Sequence, residues 1–429
     1  MSSRVSRRLL PMLAVLAVLA GCGTSGTVQG GNDTFSATTL TVYSDLPLLG
    51  PDGAAMSEIV NGEILALYDH DGHVGRLHVS LESLNDYADA AVSDPLLPDP
   101  LRSPPLQIAQ SAHTASSDLS TVAYIGDYDS AATAISLQLN NQNDILQISP
   151  GSSYVGFTDA SPVDSPGDPD VFYPYGGQRT FARLVPSDAV EARAIVTWMR
   201  ALGVRRLALL QDDSNPPYDA VIAALVAADA PADAIKVVGF QRGVDTQARS
   251  RPAAYARLAA SLAAAHPDAV LLGGVASAGA QALWRELHTV LPAAKLFAPS
   301  TLATPAFLSG LGAPAAGATY VTSPILEPDQ YPAAAQPVFA QYRRLFDAAP
   351  SGYALYGYDA MNDVLLAIAR AGRDAANRPD LLAAFFKLGE IQGTLGDYRF
   401  NADGDTSLSR FDGYRVGAGG ALVRAAPIG

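Results

Sequence analysis

From Thr39 onward the chain alternates two kinds of apolar pattern. Short runs rich in β-branched and aromatic residues come first: LTVYSDL (40–46), LHVSLES (77–83), VAYIGDY (122–128) and ILQIS (145–149). A second series follows: RRLALLQ (205–211), IKVVGFQ (235–241), AVLLGG (269–274), KLFAPS (295–300) and TYVTS (319–323). Stretches with helical spacing lie between them, near 54–69, 130–141, 188–202, 216–229, 253–265, 276–290 and 334–347. The interior runs are apolar on both faces, as parallel strands covered by helices must be. Repeated units of this kind predict a doubly wound α/β architecture.

The repeat is interrupted. Two polar, Pro-rich stretches, 93–105 (SDPLLPDPLRSPP) and 159–178 (DASPVDSPGDPDVFYPYGGQ), read as surface insertions. The second carries Tyr173 and Tyr175, read as exposed loop aromatics, with a reach to a cleft rim as the alternative. A helix-rich stretch from Tyr353 to Leu388 and an antiparallel-looking group (391–400, 409–416, 421–425) close the chain.

The N-terminus follows a different logic. Arg4, Arg7 and Arg8 precede an apolar run from Leu9 to Ala20, which ends in Leu19-Ala20-Gly21-Cys22. A basic region, a short apolar region and a small-residue cleavage site read as a secretory signal. The apolar run is shorter than the roughly 20 residues a spanning helix needs. L-A-G-C resembles the bacterial lipobox, which implies lipidation of Cys22 and an exported protein anchored to a membrane, facing the periplasm or the cell exterior. Cys22 is the only cysteine of 429 residues, so no internal disulfide exists. Gly23 to Thr38 is small and polar and reads as a flexible tether.

Charge removes one class of partner. Residues 1–21 hold three arginines and no acid, so their removal takes the formal charge from −14 to −17. Such a chain repels phosphate backbones, which argues against nucleic-acid binding. With 48% hydrophobic and 16% charged residues the chain is globular.

In open α/β sheets ligands bind beyond the carboxyl ends of strands, where helix N-termini present unpaired N–H groups. This sequence places hydroxyls and small residues there: Asp129-Ser130 after VAYIGDY, Pro150-Gly151-Ser152-Ser153 after ILQIS, Asp212 to Tyr218 after RRLALLQ, Val275 and Ser277 after AVLLGG, and Ser300-Thr301 after KLFAP. Any one such hydroxyl is explained by helix capping. Several at corresponding ends of two half-sheets indicate a polar cleft between lobes.

Across residues 40 to 425 the chain resembles the leucine/isoleucine/valine-binding type of substrate-binding lipoproteins. The resemblance rests on the order and spacing of LPLLGP (46–51), YIGDYDSAAT (124–133), ILQISPGSSYVGFT (145–158), TFARLVPSDAVEARA (180–194), LLGG (271–274), GYALYGYDA (352–360) and FNADGDTS (400–407). It implies the type I periplasmic-binding fold, two Rossmann-like lobes joined by a hinge that close on a small ligand. The loaded protein would dock on an ABC permease and ATPase complex. The implied division is signal peptide 1–21, lipidated cysteine and tether 22–38, first lobe 39–186, second lobe 187–322, a first-lobe return 323–409, and C-terminal strands 410–429 directed toward the second lobe.

The resemblance also assigns a site. Ser130 falls on the first-lobe serine that bonds the ligand carboxylate, and Ser152 and Ser153 on the loop that gives N–H and O–H groups to the same carboxylate. Tyr218 falls on the second-lobe aromatic that covers the ligand. Val275 stands where an aromatic is common, and Ser300 where amino-acid binders carry the acid that pairs with the ligand ammonium. Asp45, Asp127, Asp129, Asp212 or Asp213 would have to replace that acid, because an unpaired buried ammonium costs several kcal/mol. Otherwise the ligand is a carboxylate or amide without an ammonium.

Other chemistries find little support. His70, His73 and His78 cluster in LYDHDGHVGRLHV; the resemblance implies a helix-to-strand turn here with His70 and His73 in it, which reads as solvated rather than as a metal centre. Asn401 to Asp405 reads as an Asx/Gly turn, since no distal acid completes a calcium loop. No G-x-S-x-G, Walker A, H-E-x-x-H or Cys/His pair occurs, and no cofactor is expected. The expectation is a solute-binding lipoprotein serving an ABC importer, with a ligand sensor signalling to a membrane regulator as the alternative and an enzyme of unknown type as a remoter one.

Overall fold

The computed structural model describes residues 39–50, 52–87, 104–160, 167–213, 218, 220–246 and 251–428. The signal segment 1–21, Cys22 and the tether to Thr38 lie outside the described residues, as do 93–103 of the first Pro-rich stretch.

Two sheets organise the chain. The first is formed by β1 (Thr39–Leu46), β2 (His73–Val74), β3 (Leu77–Asn85), β4 (Thr121–Gly126), β5 (Leu146–Ser149) and β6 (Phe181–Arg183), in the spatial order β2-β3-β1-β4-β5-β6. All its pairings are parallel except the β2/β3 hairpin. Helices α1 (Gly53–Asp69), α2 (Pro104–Ser117) and α3 (Ser130–Gln142) connect its strands.

After β6 the chain crosses to α4 (Asp188–Ala201) and the second sheet. This holds β7 (Arg206–Asp212), β8 (Lys236–Val244), β9 (Ala269–Gly273), β10 (Lys295–Ala298) and β11 (Thr319–Ser323), with α5 (Val221–Asp229), α6 (Pro252–Ala263), α7 (Ala278–Val290) and the short α8 (Pro305–Ser309) and α9 (Ala313–Gly317). The chain then returns to the first lobe as α10 (Ala335–Phe346), α11 (Tyr353–Ala371), α12 (Arg378–Phe385) and the hairpin β12 (Ile391–Gln392) and β13 (Asp397–Tyr398). It crosses back to end in β14 (Phe411–Val416) and β15 (Leu422–Ile428), which join the second sheet antiparallel beside β11, in the order β15-β14-β11-β10-β9-β7-β8. The architecture is thus two doubly wound α/β lobes.

The doubled apolar pattern has its explanation here. In β7, Leu207 and Leu209 enter one core with Ile195, Met199 and Ile222 from α4 and α5, while Ala208 and Leu210 enter another with Leu262, Leu283 and Trp284 from α6 and α7. Each face of the sheet is buried, so the strand has no polar face. α2 carries few large side chains (PPLQIAQSAHTASS), and β6 is only three residues long, so neither stands out as an element in the sequence. In the described part of the 159–178 stretch most residues are exposed, but Phe172 and Tyr173 are not. Tyr173 is buried, its hydroxyl donates to the Phe157 carbonyl at 2.8 Å, and the Arg179 guanidinium covers its ring at 4.3 Å; Tyr175 stays exposed.

His73 and His78 face each other across the β2/β3 hairpin, rings edge to face at 5.0 Å, and Gly75 at φ +62° makes its turn. The Asn401–Asp405 segment is a turn in which the Asn401 side chain accepts the N–H groups of Asp403 and Asp405 at 3.0 and 2.8 Å.

The return segment is fastened to the first lobe by the crossing of α1 and α11. Gly62 and Gly357 let the two backbones touch. A Cβ on Gly62 would stand 1.9 Å from the Ala354 carbonyl oxygen, and one on Gly357 1.9 Å from that of Ile59. Hydrogen bonds flank the crossing, from Tyr358 to Asp69 at 3.0 Å and from the Ser351 N–H and hydroxyl to Glu58 at 2.8 and 2.6 Å. In an unconstrained helix Gly→Ala stabilises by about 1 kcal/mol. Here Gly62→Ala and Gly357→Ala are each expected to destabilise by about 2–3 kcal/mol through overpacking, read as a lowered midpoint in urea unfolding. A neutral or stabilising effect of either would contradict this close approach.

Candidate functional site

The carboxyl ends of both sheets open on one cleft of about 620 Å³. The first lobe contributes Pro47, the start of α1 at Asp52 to Met56, the β4–α3 turn at Tyr128, Asp129 and Ser130, and Gly151 and Ser153 after β5. The second contributes Val275, Ala276, Ser300 and Thr301. The crossings supply Val185, Pro186 and the segment from Ser323 to Pro328; Tyr353, Phe411 and Tyr414 complete the wall.

Of the residues singled out from sequence, the structure brings Ser130, Ser153, Val275, Ser300 and Asp129 together in this cleft and leaves the others outside its lining. Ser152 is fully buried behind the loop, its hydroxyl bonded to that of Thr133 at 2.5 Å and within 3.2 Å of the Asp127 carbonyl. Tyr218 packs edge-on against Tyr154 of the first lobe, centroids 5.2 Å apart, so it contacts the other lobe instead of covering the cleft. Asp212 accepts the hydroxyl of Thr246, and Asp213 accepts Gln211 Nε2 at 3.2 Å.

Asp45 and Asp127 lie beneath the first-lobe strand ends, on either side of the Tyr124 hydroxyl at 2.9 and 3.0 Å. Ser136 donates to the second oxygen of Asp127. Burial raises both carboxyls, and it raises Asp86 beside them, with further push from the charges of Asp127 and Asp45. Among the described residues no cationic side chain offsets them, so this group carries protons where isolated aspartates would not.

The cleft itself is acidic. Asp129 is open to cleft water yet crowded by protein, and that burial, followed by repulsion from Asp52, raises its carboxyl to about 6. It occupies the N-cap position of α3 without making a side-chain cap bond. Asp52 stands likewise before α1, also raised by burial. Glu327 adds a third carboxylate at the rim. No Lys, Arg or His stands among the described lining residues. Tyr128 and Tyr353, hydrogen-bonded to each other with rings 6.2 Å apart, form a polarisable wall beside Asp129.

Two cleft serines are backed by buried acids from the first turn of α4. Glu191 accepts the Ser300 N–H at 2.7 Å, the Ser300 hydroxyl at 2.6 Å and the Thr322 hydroxyl at 2.5 Å. Burial raises it to about 7. Asp188 is raised to about 6 by burial, against the stabilising hydrogen bond from the Ser153 side chain. Neither acid was distinguishable in the sequence from one that merely complements a helix N-terminus. The Ser153 loop is held from behind by Arg183. This fully buried guanidinium bonds the Ser152 and Tyr154 carbonyls at 3.3 and 2.7 Å, the Thr158 hydroxyl, and Asp405 at 2.7 Å.

A family model for periplasmic binding proteins matches residues 103–420. A search of curated protein sequences finds no match. Among solved structures, the chain is similar to an ABC transporter substrate-binding protein of Desulfitobacterium hafniense in complex with Leu (18% identity, 90% of this chain and 100% of that one, TM-score 0.69). It is similar to a leucine-binding protein of Thermotoga maritima (18%, 91% and 98%, TM-score 0.70). It is also similar to an R. palustris ABC transporter solute-binding protein in complex with benzoate (17%, 91% and 97%, TM-score 0.67). At these identities the likeness is one of fold.

The raised carboxyls have a consequence for stability. A group whose folded pKa lies above its unfolded one stabilises below the unfolded value and loses that contribution as pH rises through the folded value. Asp129, Asp188, Glu191 and Glu63, the last raised to about 8 by burial, all act in this sense. The melting temperature is therefore expected to fall between about pH 5.5 and about pH 8.5, and Asp86→Asn to narrow that gap. A melting temperature that rises across this range would contradict the assignment.

Proposed function

The chain belongs to the periplasmic binding protein family, and we propose that it captures a small amine-bearing solute, an amino acid in the first instance, between its lobes and delivers it to an ABC importer. The observation that carries the ligand class is the charge of the cleft: Asp52, Asp129 and Glu327 line it with no basic side chain among the described lining residues. An anion such as benzoate, held by one of the similar structures, would face these carboxylates without a counter-charge here. A protonated amine 4 Å from Asp129 gains about 4 kcal/mol at an effective dielectric of about 20, before its desolvation is subtracted.

Five aspartates were candidates for the ammonium partner, and Asp129 is the one whose position supports the role. Ser130, at the first position of α3, and the N–H groups of the Gly151–Ser153 loop are suited to hold the solute's carboxylate as neutral donors. Apolar walls at Met56, Val185, Val275 and Ile325 take its side chain. A ligand touching Asp129 on one lobe and Ser300 on the other favours the closed arrangement of a hinge-bending pair. Lipidation of Cys22, followed by the tether to Thr38, would hold the protein near its transporter, with more than one acyl chain needed for stable attachment.

The test begins with mass spectrometry of solute carried through purification, followed by calorimetry. The recovered ligand is expected to carry a protonated nitrogen, and Asp129→Asn to weaken its binding about tenfold or more. Ser130→Ala and Ser153→Ala are expected to weaken it less. A ligand without a basic nitrogen, or one bound equally by Asp129→Asn, would exclude this reading.

A further inference from the structure

Ser300 occupies the second-lobe position where a charged partner for an amine would be sought, and a serine hydroxyl is neutral. Its hydrogen bonds decide which face it offers. A hydroxyl has one proton and two lone pairs. The Ser300 N–H can only donate, so the Glu191 oxygen 2.7 Å away is an acceptor, and it also takes the Thr322 hydroxyl at 2.5 Å. The other Glu191 oxygen lies 2.6 Å from Ser300 Oγ. Three donors converge on a side chain that is almost wholly buried; they favour the carboxylate, but burial is the larger effect and raises the acid to about 7, so it is ionised above that pH. When Glu191 is ionised the Ser300 proton is committed to it, and the oxygen presents only lone pairs to the cleft. The Ser153 hydroxyl and Asp188, one helical turn earlier on α4, repeat the arrangement on the opposite wall.

Resting on the amine-binding reading above, we propose that Glu191 is a specificity-determining positioning residue: by taking the Ser300 proton it makes Ser300 an obligate acceptor for a ligand N–H, and it places a negative charge one hydrogen bond behind the amine. The acid that recognises the amine from the second lobe thus stands on α4 and acts through Ser300.

Glu191→Gln tests this with little change of shape. The Ser300 N–H and Thr322 hydroxyl require the amide oxygen on their side, which turns the amide nitrogen toward Ser300 Oγ. The nitrogen then donates, the serine proton is released toward the cleft, and Ser300 becomes a donor that opposes an ammonium. The twenty common amino acids are titrated into the wild-type protein by calorimetry at about pH 8, above the value of about 7 to which Glu191 is raised. The tightest is then compared with its des-amino carboxylate. The wild type is expected to prefer the amino acid by at least about tenfold, and Glu191→Gln to reduce that ratio about tenfold or more, with the carboxylate bound as well as before or better. Ser300→Ala should reduce the ratio to a similar extent, and Glu191→Gln added to it should change the ratio no further. A purely structural role would weaken both ligands equally, and an unchanged ratio in Glu191→Gln would overturn the proposal. If that variant does not fold, an unchanged ratio in Ser300→Ala does the same. Failure of every amino acid to bind the wild type overturns the amino-acid reading itself, and this inference with it.

Discussion

A carboxylate set among protein atoms must be hydrated, protonated or paired. That constraint governs this molecule. Asp129 stands in its cleft with water on one side and Asp52 repelling it, and no lysine, arginine or histidine answers either among the described lining residues. Beneath it, burial raises Asp45, Asp86 and Asp127 toward their protonated forms, and the Tyr124 hydroxyl lies between Asp45 and Asp127. Behind the second-lobe wall, Glu191 is satisfied by three donors. Asp129 is left facing the cleft, and in the proposed function the counter-charge that completes its environment is the solute's.

The fold places this acid where a solute can reach it from both sides. Parallel strands direct their carboxyl ends, and the helix starts that follow them, to one edge of each sheet. Three passages of the chain between lobes bring those edges together, and the helix that follows the first passage, α4, sends one acid toward the Ser153 loop and another to Ser300. Arg183, just before that passage, is paired with Asp405 just before the last one, and it also grips the carbonyls of the cleft loop. Truncating such a buried charge leaves its partner uncompensated, at about 3–5 kcal/mol. Tyr218 against Tyr154 adds an apolar contact from lobe to lobe outside the cleft.

Much of the architecture was legible in the sequence because buried parallel strands cannot alternate. RLALLQ and AVLLG read as strands for the reason they pack as strands. TYVTS at 319–323 coincides with β11, while α2 and β6 lacked either the side chains or the length to stand out. The candidate site was legible in part. Serines at strand ends pointed to the cleft, and Ser130, Ser153 and Ser300 line it. Ser152, beside Ser153, faces inward, a difference of one residue in a turn that no periodicity resolves. Five aspartates were equal on paper, and only burial and position separate Asp129 from the rest. Glu191 and Asp188 went unremarked because an acid in the first turn of a helix has a sufficient local explanation. Their reach to serines more than a hundred residues away, or across the lobe boundary, is a fact of tertiary structure alone.

The central claim is that the captured solute brings the cation that Asp129 lacks. Calorimetry of the recovered solute in buffers of different ionisation enthalpy, near pH 6 where Asp129 titrates, measures it directly. A cation beside Asp129 lowers its pKa, so binding should release protons at that pH, and the release should vanish in Asp129→Asn. Binding with no proton release, or with proton uptake, would contradict the account.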